Sequence, residues 1–194
     1  MKHRVIVLFI VLANYVSAQP RNEISVGFGP SFFGWGDIYG AALTATCNYQ
    51  FAKHFGIEPR IISSTSSDYE EISYHNGDEI VDGFNFSHTG YWGLAGSLVY
   101  TPFANRGSFL KLKSGFLWGT MSHSNGGNRY GSQPWGEGNF SKESLVGLLH
   151  TVHFRILNKE KFFVGTELSM LTSFSDGAYN CDGFVWNFMG GIRF

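Results

Sequence analysis

The segment Gly183-Phe184-Val185-Trp186-Asn187-Phe188-Met189-Gly190-Gly191-Ile192-Arg193-Phe194 ends the chain and decides how the rest is read. Every second residue counted back from the last gives Phe194, Ile192, Gly190, Phe188, Trp186 and Phe184. The intervening set is Arg193, Gly191, Met189, Asn187 and Val185. Side chains alternate between the two faces of a strand, so one face here is aromatic and apolar and the other is small, polar or charged. An aromatic residue in the last position predicts a strand that closes a barrel and turns its aromatic face to lipid.

At the opposite end, Lys2, His3 and Arg4 precede an unbroken apolar run over 5–13, and Val16-Ser17-Ala18 supplies small residues where a signal peptidase cuts. This predicts a secretory signal peptide over 1–18 and one mature domain over 19–194. An N-terminal anchor is the alternative, but the run falls well short of the roughly 20 apolar residues a spanning helix needs. Charged residues make up only 15% of the chain, aromatics 17%, and there are 25 glycines. Ordinary soluble domains carry about 25% charged residues. A barrel wetted by lipid needs fewer, because its outer belt is not hydrated. The net charge of −1 gives no basis for nucleic-acid binding. Cys47 is expected mid-strand and Cys181 in a loop, far apart; a disulfide between them stays open as the alternative.

Seven further stretches alternate like the last one, at about 23–33, 40–52, from 57, 91–101, 109–121, 144–157 and 164–170. In the first, Ile24, Val26, Phe28, Pro30 and Phe32 oppose Ser25, Gly27, Gly29 and Ser31. In the sixth, His150 interrupts the apolar set and weakens the pattern. Tight turns are expected at 53–56, 103–108 and 158–161, and longer polar connections at 34–39, 65–88, 122–142 and 172–182. Short and long connections alternate without a break, the layout of an outer-membrane barrel with short periplasmic turns and long outside loops. A soluble up-and-down barrel of lipocalin type has the reverse pattern, apolar inside and polar outside. Aromatics at strand ends, among them Trp92, Tyr100, Phe103, Trp118 and Phe162, fit girdles at the headgroups. The fold class is therefore all-β: an eight-stranded antiparallel up-and-down transmembrane β-barrel following a cleaved signal peptide.

The leader, the eight alternating strands, three short turns and Phe194 resemble the small outer-membrane β-barrel proteins of OmpA-like transmembrane-domain type from Gram-negative bacteria. Phe55-Gly56-Ile57-Glu58-Pro59-Arg60 also resembles the third strand of many such barrels. The resemblance implies an outer-membrane location and contact with outer-membrane lipid. It also implies insertion by a barrel assembly machinery, with periplasmic chaperones as escorts and Trp186, Phe188 and Phe194 as the assembly signal. It implies a monomer without cofactor, and no periplasmic peptidoglycan-binding domain is expected after Phe194.

The face opposite the lipid carries Glu58, Arg60, Lys111, Lys113, Arg155, Glu167 and Arg193, with His153 nearby. Eight strands enclose just enough room for their own side chains, so these charges are expected to pair. A gated ion path is the functional alternative. Five basic residues against two acidic ones place some of the basic ones at the rim. Asp68, Glu70, Glu71, Asp78, Glu79 and Asp82 are expected on an outward acidic hairpin that turns at Asn76-Gly77, a surface for cations or a basic partner or simply a solvated loop. Lipid A deacylases, also eight-stranded barrels, use a His-x-Ser-Asn motif with a Glu. Here His123 and Ser124 are adjacent and diverge in a strand, and Glu137 is the one available acid, so these residues are weak catalytic candidates. No metal-ligand or phosphate-loop spacing appears. The expected role is non-enzymatic, structural or surface-interacting, with a lipid-modifying enzyme or a secreted lipocalin-like barrel as alternatives.

Overall fold

The alternating stretches fold as strands, and their apolar sets point away from the barrel axis. The computed structural model describes residues 22–33, 38–76, 79–104, 109–129, 134–174 and 183–194. The expected signal peptide, Asp78 and Cys181 lie outside the described residues. The strands are β1 (Asn22–Phe33), β2 (Ile38–Gln50), β3 (Phe55–Asn76), β4 (Glu79–Tyr100), β5 (Leu110–Arg129), β6 (Pro134–Asn158), β7 (Phe162–Ser173) and β8 (Gly183–Arg193). Each pairs antiparallel with the next, and β8 pairs with β1 to close the barrel. No helix among the described residues is long and apolar enough to cross a membrane.

Closure uses the final residue. Glu23 pairs with Arg193 and Ile24 with Ile192 across the seam. The Phe194 N–H donates to Asn22 O at 3.0 Å, and the Asn22 N–H donates back to Phe194 O at 3.2 Å. The last strand alternates as its sequence requires: Val185, Asn187 and Met189 are buried, while Phe184, Trp186 and Phe188 are exposed.

Strand lengths divide the barrel. β1, β2, β7 and β8 have 11 to 13 residues, whereas β3 to β6 have 20 to 25. β2–β3 pairing stops at Gly40 with Ser66, and β6–β7 pairing at Gly147 with Ser173. Beyond those points β3 to β6 continue as a four-stranded sheet, reaching Asn76 with Glu79, Gly83 with Arg129, and Asn128 with Pro134. The expected loop over 122–142 is thus corrected to strand, apart from 130–133 outside the described residues. Along these extensions both alternating sets of the sequence are largely polar or glycine, so hydrophobic alternation fades although main-chain pairing continues. Asn76, expected in the turn, is instead the last residue of β3 and pairs with Glu79, while Gly77 lies outside the described residues. At the opposite end the turn before β3 comes two residues early. Ala52 and Phe55 exchange main-chain hydrogen bonds of 3.1 and 3.3 Å there.

The lumen has two layers. Toward the hairpins Ile62, Ala95, Leu117, Leu145, Leu149, Leu171 and Val185 form a buried apolar cluster. Toward the short turns lie the buried charges. Gly27 sits where the layers meet: a Cβ there would lie 2.1 Å from Met189 Sδ and 2.8 Å from Thr44 Oγ1. The missing side chain is what seats Met189 in the wall.

Candidate functional site

The two-residue period puts Glu58 with Arg60, Lys111 with Lys113, His153 with Arg155, and Glu167 with Ser169 on the lumen face of their strands. Barrel closure then brings these strands together across the axis. Arg60 bonds Glu58 on its own strand at 2.9 Å and Glu167 on β7 at 2.7 Å. Lys113 on β5 bonds the same two acids, at 2.9 Å to Glu58 and 2.7 Å to Glu167. Two cations and two anions therefore alternate in a closed ring. His153 Nδ1 lies 3.4 Å from Glu167 Oε2, and Arg60 Nη1 donates to Ser169 Oγ at 3.1 Å.

A second cluster centres on Glu23, which the sequence reading missed. Lys111 Nζ and Arg155 Nη2 each reach Glu23 Oε2 at 2.5 Å, and Arg193 Nε reaches Oε1 at 3.0 Å. The Arg155 guanidinium also lies 4.2 Å above the Phe163 ring, a cation–π contact. Extending the alternation of β1 one step below Ser25 would have found Glu23. This changes the expected placement of surplus cations. Arg193 is at the rim, where it also bonds Lys159 O at 2.6 Å and Asn158 Oδ1, but Lys111 and Arg155 are buried inside. With the apolar layer stacked above, the geometry is that of a filled lumen in which every named charge has a partner.

The catalytic candidates do not assemble. His123 is buried in the lumen, with Nδ1 and Thr89 Oγ1 2.9 Å apart, whereas Ser124 occupies the opposite face of β5. Glu137 belongs to β6 opposite the irregularity between Asn125 and Gly127; its side chain lies outside the description. Among the described residues, no three His, Cys, Asp or Glu side chains converge as a metal site. Cys47 is a free, exposed thiol on β2.

The acidic segment falls on the β3–β4 extension. Glu71 is exposed; Asp68, Glu70, Glu79 and Asp82 occupy strand positions whose side chains lie outside the description. By sequence, the hairpin-end segments hold eleven acidic residues: Asp37, Asp68, Glu70, Glu71, Asp78, Glu79, Asp82, Glu137, Glu143, Asp176 and Asp182. Arg129 and Lys142 are the two basic residues there. The short-turn end has the opposite bias, with Lys53, Arg106, Lys159 and Lys161 against Glu160.

The outward face is an apolar belt, with Val26, Phe28, Phe116, Trp118 and Phe188 all at least 59% exposed. Aromatic rings cluster at the short-turn end. Phe103 stacks on Phe109 at 5.0 Å, Phe109 meets Phe154 edge-on at 5.9 Å, and Phe55 meets Tyr100 at 5.4 Å. Beyond Trp92 and Trp118 toward the hairpins, outward positions turn to hydroxyls: Ser63, Thr65, Thr120, Ser122 and Ser144. One polar contact breaks the belt. Ser114 and His150 pair across β5 and β6, with Oγ and Nδ1 3.0 Å apart and both residues exposed. The position that looked weakest in the sixth strand is therefore an outward histidine with a serine beside it.

The fold is that of the small eight-stranded outer-membrane barrels. Ail of Yersinia pestis, the attachment invasion locus protein, in complex with the heparin analogue sucrose octasulfate, superposes with a TM-score of 0.51 at 14% identity, covering 90% of this chain and 99% of its own. A second crystal structure of Ail gives 0.50 at 13% identity with the same coverage. Neisserial surface protein A gives 0.37 at 11% identity, covering 90% of this chain and 95% of its own. In sequence, no protein-family model and no curated protein matches the chain.

Proposed function

We propose that this chain is a non-enzymatic integral protein of the outer membrane of a Gram-negative bacterium, acting at the cell surface through its raised acidic hairpins. The observation that carries the reading is the inverted barrel: ion pairs fill the short-turn half of the inside, while phenylalanine, tryptophan and leucine cover the outside. In water that outside would be one continuous apolar patch, far larger than soluble monomers tolerate. In a bilayer it is the solvated surface, and the closed ladder leaves no unpaired strand edge within the belt. A lipocalin-like carrier would need the reverse arrangement. The divergence of His123 from Ser124 removes the support for a lipid hydrolase at that motif.

The partner class follows from charge. Ail was crystallised with a sulfated polyanion; the hairpin end of this chain, with eleven acidic residues against two basic, repels such a ligand and attracts a cationic one. Outer-membrane lipid surrounds the belt. Trp186, Phe188 and Phe194 serve as the signal read by the assembly machinery after chaperones deliver the chain, so removing Phe194 slows membrane assembly more than any hairpin change.

Fractionation combined with protease shaving of intact cells tests the reading. The expected result is recovery in the outer membrane, cleavage within 67–88 in intact cells, and salt-sensitive binding of an oligolysine peptide that disappears when 67–88 is deleted. Recovery in the soluble periplasm, or preferential binding of a sulfated oligosaccharide, would overturn it.

A further inference from the structure

Ser114 and His150 lie at the centre of the outward belt. On β5 the outward positions Leu110 and Leu112 lie on one side of Ser114 and Phe116 and Trp118 on the other. On β6, Val152, Phe154 and Ile156 lie on one side of His150 and Leu148 and Val146 on the other. The pair therefore sits near mid-depth of the apolar layer, where lipid offers only hydrocarbon. Polar side chains at that depth are costly and ordinarily face a protein interior. The serine bonds Nδ1, so Nε2 of the exposed His150 projects beyond the Ser114 contact and has no bond to another described residue.

The surroundings are shaped as well as polar. The pairing register runs Leu98, Ser114, His150, Met170 and Phe184 in one row across β4 to β8. A hollow of about 660 Å³ follows this row, walled by Leu98, Leu112, Val152, Leu168, Met170 and Phe184. In the adjacent row Gly96 pairs with Phe116, and a Cβ on Gly96 would meet nothing within 4 Å. Phe116 projects from the wall beside this gap, 69% exposed.

We propose that this face is the contact between two copies of the chain, related by a two-fold axis along the membrane normal. The inference rests on the membrane reading above. A membrane holds identical barrels at one depth and in one orientation, so a second copy necessarily presents a serine and a histidine at the level of the first. The pair is also its own complement. With the Ser114 hydroxyl donating to Nδ1, the neutral imidazole carries its proton on Nε2, while Ser114 Oγ keeps a free lone pair. Across a two-fold axis each His150 Nε2–H donates to the Ser114 Oγ of the other copy, and both leftover groups are satisfied at once. Phe116 of each copy fills the hollow of the other. This replaces the monomer expected from sequence, and it puts no demand on the acidic hairpins.

The test uses the full mature chain, labelled with donor and acceptor dyes and refolded into phosphatidylethanolamine–phosphatidylglycerol vesicles. Energy transfer is followed as the lipid-to-protein ratio is raised. Flotation with the vesicles and a heat-modifiable shift on gels report insertion and folding separately. The expected result is a reversible dimer, weakened about tenfold by His150→Leu, which removes two symmetry-related hydrogen bonds of the strength seen between membrane segments. Phe116→Ala weakens it independently, and His150→Gln, which keeps a donor, restores part of the loss. Folded, inserted barrels that stay monomeric at every ratio would overturn the dimer. A dimer indifferent to both His150→Leu and Phe116→Ala would overturn this face. Failure of the wild-type chain to float with vesicles would instead overturn the membrane reading.

Discussion

The two halves of the lumen are held by different physics. Near the short turns, ion pairs reach across the barrel. Arg60 of β3 meets Glu167 of β7, Lys113 of β5 meets both Glu58 and Glu167, and Lys111 and Arg155 meet Glu23 of β1. Most of these contacts join strands that are not neighbours in the sheet. They are directional, and a shifted register would leave charges buried without partners. Near the hairpins, Ile62, Leu117, Leu145 and Leu149 fill the same diameter by contact alone, which fixes volume but tolerates exchange of one apolar shape for another. One half specifies which strands face one another; the other seals the barrel.

Charge reversal is the strongest way to break this contrast. Glu167→Lys places a third cation against Arg60 and Lys113, and the folded, heat-modifiable form is expected to be lost. The milder Glu167→Gln is expected to cost about 3–5 kcal/mol of stability, read as a lowered urea midpoint in vesicles. Unchanged gel migration in the Lys variant would mean that the ring does not organise the lumen. In the apolar half, Leu149→Ala is expected to cost about 2–5 kcal/mol through cavity formation, while Leu149→Met costs less than about 1.5 kcal/mol. Equal losses for both would contradict a layer held by volume alone. At the junction, Gly27→Ala drives a methyl group into Met189 and Thr44 and is expected to cost about 1–3 kcal/mol, partly relieved by Met189→Ala in the same chain. Smallest of all, Glu71→Gln on the exposed extension changes stability by no more than about 0.5 kcal/mol, yet weakens oligolysine binding at low salt.

Much of the barrel was legible because its two faces differ in polarity. Wherever the outward face is apolar and the lumen face small, polar or charged, alternation persists, and all eight strands were visible on that ground. The signal fades where both alternating sets are polar or glycine, so 122–129 and 134–142 read as loop although they are paired strand. The lumen charges could be assigned to a face one strand at a time. Their partners could not, because pairing across the axis depends on the stagger of the closed barrel, which no local pattern carries. Glu23 escaped at the strand's first turn inward. His150 stood out only as a flaw in a pattern, because its meaning depends on Ser114, which is 36 residues away in sequence.

The raised sheet has one more consequence. Past Ser66, β3 pairs with β4 alone among the described strands, so the stretch up to Asn76 forms one edge of the raised sheet. Such an edge recruits further strands and is a starting point for sheet growth between molecules. Asp68, Glu70 and Glu71 sit on that edge, and an incoming copy would bring the same three charges against them. Whatever else the acidity attracts, it also keeps these extensions from zipping together on a crowded surface, and leaves association to the belt.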